Sequence, residues 1–338
     1  MKIVIPGGSG QVGTILARAF HPEHEVVVLS RRPLSRPWRI VPWDGVSSGA
    51  WQREVDGCDV VINLAGRSVN CRYGARNRRE ILDSRVLSTR IVGRAIARAA
   101  RPPAVWLQSS TATIYAHRYD AANDERTGVL GGSEQDAPPA WRFSIDVARA
   151  WEQAFEEAAA PRTRKVLLRS AMTLSPDRGG VFDTLARLAR YGLGGRVGDG
   201  RQFMSWVHYE DFAAAVQWLI DRTDVDGIVN VAAPNPLTNA EFMSELRRAC
   251  GAPFALPARA WMVEIGAWLM RTESELILKS RRVVPGRLLE HGFVFRWPTW
   301  RTAAMDLCRQ WNAAHATRSH GRAVDDRPPP DRVVPRKG

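Results

Sequence analysis

Three glycines near the start of the chain constrain its fold more than any other feature. Gly7, Gly10 and Gly13 form a GxxGxxG pattern between an apolar run at 2–5 and a helical pattern at 11–20. Each glycine has its own physical task. One permits a tight turn from strand to helix, one lets the backbone approach a pyrophosphate, and one lets the helix pack close to the sheet. Amides at the helix N-terminus then face the phosphates, favoured by the helix dipole. The pattern predicts a dinucleotide site at the first βα turn.

The rest of the first half agrees. Runs at 25–29, 59–64, 104–108 and 165–168 predict strands, and 75–100 and 144–159 predict helices. Apolar strands alternating with helices imply a parallel sheet covered on both faces, a Rossmann-type doubly wound α/β fold. Helices are expected at 181–191 and 209–220 and a last strand at 228–232, with 170–205 rich in loops. From 239 to 312 the pattern is mostly helical, broken at Pro253, Pro257, Pro285 and Pro298. The expected organisation is a Rossmann domain at 1–235, with 170–205 contributing to the substrate side, and a smaller, mostly helical C-terminal substrate lobe at 236–312. A polar tail at 317–338 is too poor in apolar residues to order.

At 338 residues and 45% apolar, the chain can build a core without disulfides or metal. Cys58, Cys71, Cys250 and Cys308 are far apart in sequence and form no CxxC pair, so reduced thiols and a cytoplasmic location are expected. No apolar run is long enough to span a bilayer, and a strand starting at Lys2 leaves no room for a signal peptide. The net charge of +13 is almost all arginine; lysine occurs only at 2, 165, 279 and 337. These arginines are spread among acids without a nucleic-acid-binding motif, so no nucleic-acid partner is expected. No cluster has metal-ligand spacing, and no metal is expected. The residues leave monomer and homodimer equally open.

The end of the second strand bears on the cofactor. An NAD site usually places Asp or Glu there for the ribose hydroxyls. This chain has Ser30, Arg31 and Arg32. A guanidinium can pair with a 2′-phosphate in a forked geometry, whereas a carboxylate would repel it. NADP(H) is therefore expected over NAD(H).

With these residues in hand, the chain resembles the extended short-chain dehydrogenase/reductase superfamily. It is most similar to the "epimerase family" branch, NAD-dependent epimerase/dehydratase-like, with a DUF1731 C-terminal region. The resemblance rests on PGGSGQVG at 6–13, INLAG at 62–66, DSRVLSTR at 83–90 and SSTATIY at 109–115. It continues through GDGRQFMSWVHYEDF at 198–212, NVAAPNPLTNAEF at 230–242 and RRVVPGRLLEHGFVF at 281–295. It implies that Gly7, Ser9, Gly10, Gln11, Val12 and Gly13 hold the pyrophosphate and that Leu64, Ala65 and Gly66 pass under the cofactor ribose. Ser109, Arg169 and Ser170 would border the cofactor, with the loop at 170–176 beside the nicotinamide. Asp44 is a candidate near the adenine.

Such enzymes use a Ser or Thr with a Tyr-xxx-Lys pair. Thr111 matches the first, four residues before Tyr115. The stretch expected to hold the pair reads Phe143, Ser144, Ile145, Asp146, Val147, Ala148, with neither tyrosine nor lysine. Thr111, Tyr115 and Arg85 are therefore candidates to line the reactive pocket, Arg85 replacing the lysine charge or clamping an anionic substrate. Structural roles for all three remain an equal alternative. His208 reads as a helix cap, Asp211 as a first-turn acid favoured by the dipole. Trp261, Trp268, Trp297 and Trp300 read as core, and Arg72, Arg76, Arg78 and Arg79 as a solvated helix face. The expected function is NADP(H)-dependent oxidoreductase or epimerase/dehydratase-like chemistry on a small organic substrate. A non-catalytic NADP(H)-binding sensor or scaffold is the alternative.

Overall fold

The computed structural model describes residues 1–134, 137–256 and 275–325. Strands β1 (Lys2–Pro6), β2 (Glu25–Ser30), β3 (Arg39–Pro42), β4 (Val60–Asn63), β5 (Val105–Thr111) and β6 (Arg164–Ser170) form one parallel sheet with Gly227–Val231. From edge to edge the order is Gly227–Val231, β6, β5, β4, β1, β2, β3. The order reverses between β1 and β4, and the crevice at their carboxyl ends is where this architecture admits a ligand.

Helices α1 (Gln11–Phe20), α2 (Gln52–Val55), α3 (Ala75–Arg98) and α4 (Arg142–Glu156) connect these strands. Alternation decides which face each strand residue serves. Ile3, Ile5, Val26, Val28, Val60 and Ile62 point to one face, where α1 supplies Leu16 and Phe20 and the helix Tyr209–Asp221 supplies Phe212, Val216 and Leu219. Val4, Val27, Leu29, Val61 and Trp106 point to the other, against Ile91, Val92 and Ile96 of α3 and Phe155 of α4. Both faces are buried, which is why the strands read as continuous apolar runs. The four-residue edge strand β3 escaped the sequence reading; it follows Pro37, ends on Pro42, and its two ends are exposed with Ile40 and Val41 half-buried.

A third core forms the C-terminal side. Trp206, Phe242, Trp300, Leu307 and Trp311 pack together, with Trp300 stacked on Phe242 at 4.0 Å and 8°. Trp300 is thus core, as expected. Trp297 is only partly buried, and Pro257, Trp261 and Trp268 lie outside the described residues. The helix Trp300–Asp325 runs past the boundary expected near 317, since no proline interrupts the chain before Pro328. Residues 326–338 lie outside the described part. Cys250 and Cys308, distant in sequence, meet as free thiols with Sγ atoms 2.7 Å apart. Among the described residues, no helix is long and apolar enough to cross a membrane.

The lobe is tied to the Rossmann sheet through polar anchors. Asp211 accepts the amides of Arg296 and Trp297 at 2.8 and 2.9 Å, and Glu210 accepts the Trp297 indole at 2.9 Å. His208 caps the helix beginning at Tyr209, its Nδ1 accepting from the Glu210 amide at 3.2 Å. Burial holds its pKa below the ordinary histidine value, against the pull of Glu210 and Asp306. The cap reading of His208 and the first-turn placement of Asp211 both match the structure.

Candidate active site

The three glycines occupy three different environments. Gly7 has φ +74°, and a Cβ there would meet the Ala65 backbone at 2.5 Å. A Cβ on Gly13 would strike Gly8 at 2.3 Å, so α1 lies directly on the turn. A Cβ on Gly10 would find its nearest neighbour, the Gly7 carbonyl, 3.8 Å away. Two glycines are therefore required by the protein's own backbone, while Gly10 borders open space. Gly10 caps α1 without a side-chain hydrogen bond, and no acid occupies the first turn. Uncapped first-turn amides facing open space fit an anionic pyrophosphate. Ser9 is exposed beside them, and Gln11 and Val12 are half-buried. Gln11 Nε2 donates to Ser175 Oγ at 3.0 Å, tying this loop to the 170–176 loop.

Arg31 and Arg32 are exposed at the end of β2, and Ser30 Oγ accepts the Arg32 amide at 3.2 Å. Glu80 on α3 bonds Arg76 Nε at 2.7 Å and pairs with Arg67. The Arg76 bond, with help from Arg67 and Arg31, holds its carboxyl below the ordinary value. Arg67 and Arg76 therefore share one carboxylate, and Arg31 at the β2 turn adds to the positive charge felt there. The solvated-face reading of Arg72, Arg76, Arg78 and Arg79 matches the structure: all four are exposed, with Arg76 joined to Glu80 one turn on and Arg78 over Phe143 at 4.9 Å. Asp44 accepts the amides of Ser47 and Val46 at 2.8 Å each, which keep its pKa low. It is exposed, and these bonds shape its own loop.

After β4, Ala65 is buried, Leu64 half-buried and Gly66 exposed. A Cβ on Gly66 would sit 3.2 Å from Arg85 Cζ, so this glycine admits the guanidinium. Arg85 Nη1 donates to the carbonyls of Arg67 and Ile81, each at 3.0 Å, and Cζ lies 5.0 Å from the Trp151 ring. Trp151 in turn donates to Thr89 at 3.1 Å, so the Arg85–Thr89 face closes on one indole. Burial pushes the Arg85 pKa down to about 10. Among the described residues no carboxylate pairs with this cation.

Thr111 ends β5 and lies opposite Ser170 of β6. Its Oγ1 accepts the Thr113 amide at 3.1 Å and caps the 3-10 turn Ala112–Ile114. Tyr115 takes the structural alternative. It is buried, its hydroxyl donates to Asn230 Oδ1 at 2.9 Å and it accepts from Arg169 Nη1 at 3.1 Å. Burial raises its pKa further from neutrality, against the opposing pull of Arg169. This phenol does not face an open pocket, and its pKa moves away from that of a working base.

Arg169 is likewise internal. It forms a two-pronged pair with Glu152 at 2.9 and 2.7 Å, and Ser110 Oγ donates to the same carboxylate at 2.5 Å. Burial opposes its charge, but the Glu152 pair outweighs burial and holds it protonated. The Arg169 guanidinium is committed to Glu152 and Tyr115 inside the protein. Ser170 ends β6 and Ser109 lies two residues before the end of β5, both half-buried.

The start of α4 contains the feature that sequence reasoning missed. Ser144 Oγ donates to Glu275 Oε2 at 2.6 Å. Ala148 is buried with Ile114, Tyr115 and Val283. Lys279 Nζ reaches the Thr113 carbonyl at 2.8 Å, and Arg281 Nε reaches Thr113 Oγ1 at 3.2 Å. A lysine thus does approach this turn, from 166 residues away in sequence. The only available signal was that Lys279 is one of very few lysines in the chain.

Comparisons with family models, with relatives by sequence and with solved structures bear on this arrangement. Residues 3–232 match the family model described as NAD dependent epimerase/dehydratase family, and residues 260–307 match a domain of unknown function, DUF1731. The epimerase family protein SDR39U1 of Bos taurus is 32% identical over 312 residues, covering 91% of this chain and 99% of that protein. The epimerase family protein YfhF of Bacillus subtilis is 29% identical, covering 91% of this chain and 98% of that protein. The crystal structure of human SDR39U1 with NADPH superposes with TM-score 0.80 at 28% identity, covering 91% of this chain and 99% of that one. A UDP-N-acetylglucosamine 4-epimerase from Methanobrevibacter ruminantium shares the fold, with TM-score 0.68 at 14% identity over 93% of this chain and 98% of that one. The glycine turn, the seven-stranded parallel sheet and the coverage of nearly the whole chain agree, and this protein belongs to the NAD dependent epimerase/dehydratase family, with a DUF1731 region following its Rossmann domain.

Proposed function

We propose that this chain binds NADP(H) and acts as an oxidoreductase or epimerase/dehydratase-like enzyme on a small organic substrate. The observation that carries the reading is the end of β2, where Arg31 and Arg32 are exposed and residues 30–32 include no carboxylate. A 2′-phosphate meets paired guanidinium groups there, with the Arg67–Arg76–Glu80 rim behind them. The open space at Gly10 and the uncapped first turn of α1 fit the pyrophosphate. The human relative crystallised with NADPH supports the same cofactor.

The bound cofactor would supply hydride chemistry. The chain's own part is to orient and to stabilise charge. Thr111 lies at the carboxyl end of β5, and Arg85 is a cation beside Gly66 with no carboxylate partner among the described residues. That cation suits a substrate carrying a carboxylate or another anionic oxygen.

The test is thermal melting with NADPH and with NADH at matched concentration. Binding to the native state raises the melting temperature. An NADPH-selective rise, lost in the Arg31→Ala/Arg32→Ala double variant, is the expected result; equal or absent shifts would overturn the reading. One observation favours a non-catalytic NADP(H) sensor instead: the Tyr115 hydroxyl is committed to Asn230 and Arg169. Tight NADPH binding without NADPH oxidation across a panel of small aldehydes and ketones would select that reading.

A further inference from the structure

Lys279 is 1% exposed, yet its surroundings satisfy it poorly. An ammonium has three protons to donate. Among the described residues only the Thr113 carbonyl accepts one, at 2.8 Å. The nearby charges are Glu275 and Arg281 on its own segment and Glu134 on the loop before α4. Both carboxylates have other donors: Glu134 accepts the amides of His117 and Gly132, and Glu275 accepts Ser144 Oγ. His117 Nδ1 accepts the amide of neighbouring Ser280. A buried cation with one hydrogen bond is costly unless a ligand completes its shell.

Its position gives that ligand an identity. Thr113 stands two residues beyond Thr111, and Lys279 and Arg281 grip its carbonyl and its hydroxyl. The segment carrying Lys279 also reaches α4 through Glu275 and Ser144, where Ser144 and Ala148 offer neither phenol nor amine. The glycine turn follows β1, Gly66 follows β4 and Thr111 ends β5, on three adjacent strands. At about 4.8 Å per strand the Thr111 turn lies roughly 10 Å from the pyrophosphate cradle, within reach of the far end of an extended dinucleotide.

We propose that Lys279 is the amine of the reactive pocket: brought by the C-terminal lobe, it faces the nicotinamide end of the bound dinucleotide and donates to the oxygen of a carbonyl or alcohol substrate. This rests on the NADP(H) reading above. In the reducing direction, the carbonyl carbon accepts a hydride with its two electrons from the reduced cofactor, and the Lys279 ammonium gives one proton to the carbonyl oxygen. The C=O becomes CH–OH, the cofactor leaves oxidised, and the neutral amine regains its proton from solvent. Burial, reinforced by Arg281, lowers the Lys279 pKa to about 8, which suits such an exchange.

The scarcity of lysine makes a direct test clean. The full-length protein is acylated with trace acetic anhydride across pH 6–11, with and without saturating NADP+, and each lysine peptide is quantified by mass spectrometry. The Lys2 peptide corrects for reagent decay, and melting curves on the same samples report cofactor binding. The expected result is a Lys279 midpoint near 8 and at least fivefold slower labelling with NADP+, with Lys2 unchanged. A midpoint near the ordinary 10.5 would overturn the proposal. So would unchanged Lys279 labelling in samples whose melting shift proves NADP+ bound. Absence of any melting shift marks failure of the cofactor reading itself, and the proposal falls with it.

Discussion

The hydroxyl of Tyr115 accepts a hydrogen bond from Arg169 Nη1 at 3.1 Å, and the Arg169 guanidinium also lies over the Tyr115 ring at 5.0 Å. The pair sits where β5 and β6 leave the sheet, and Glu152 of α4 completes it. Its consequence is that the tyrosine nearest Thr111 in sequence serves architecture.

Tyr115→Phe should therefore act on stability and leave cofactor binding intact. Removing the hydroxyl strands Asn230 Oδ1 and one Arg169 donor, a loss of about 1–3 kcal/mol. Urea unfolding measures the first effect and NADPH titration the second. A phenylalanine variant with unchanged stability and lost NADPH binding would contradict the assignment.

Glu152→Gln should be more damaging than Tyr115→Phe. It leaves the buried Arg169 charge without its partner, which costs roughly 3–5 kcal/mol. Replacing both, as Glu152→Leu with Arg169→Met, should recover part of that loss. Denaturation midpoints of the three variants check the order.

Cofactor selectivity should reside in Arg31 and Arg32. Losing a charged hydrogen-bond pair to a phosphate costs about 1.5–3 kcal/mol, a roughly 10- to 100-fold weaker NADPH affinity. NADH affinity should change less than threefold, because NADH lacks the 2′-phosphate. Isothermal titration with both cofactors would show this, and equal losses would remove the arginines from the selectivity account.

Lys279 should leave a mark on stability against pH. Its folded pKa of about 8 lies below the ordinary 10.5. Between those values the unfolded chain binds one more proton, so this group makes stability rise with pH across that window. The full span is about 3 kcal/mol. Cys58 acts oppositely: burial pushes its thiol up to about 12, so stability from it falls as pH climbs past 9. The difference between wild type and Lys279→Met isolates the lysine. That difference should change between pH 8 and pH 10.5 and stay flat below pH 7.

The sequence by itself determined the layered parallel sheet and the place of the dinucleotide turn. Strand alternation and glycine spacing are local properties, and steric limits act on them within a few residues. The same holds for His208, whose bond to Glu210 spans two positions. Only the tertiary structure decided which polar groups stay available for chemistry. Tyr115 loses its freedom to Asn230, 115 positions away, and Arg169 is taken by Glu152, 17 positions earlier on a different element. Lys279 arrives beside Thr113 across 166 positions. A side chain's pKa and its spare hydrogen bonds depend on who shares its burial, and that company is assembled by packing.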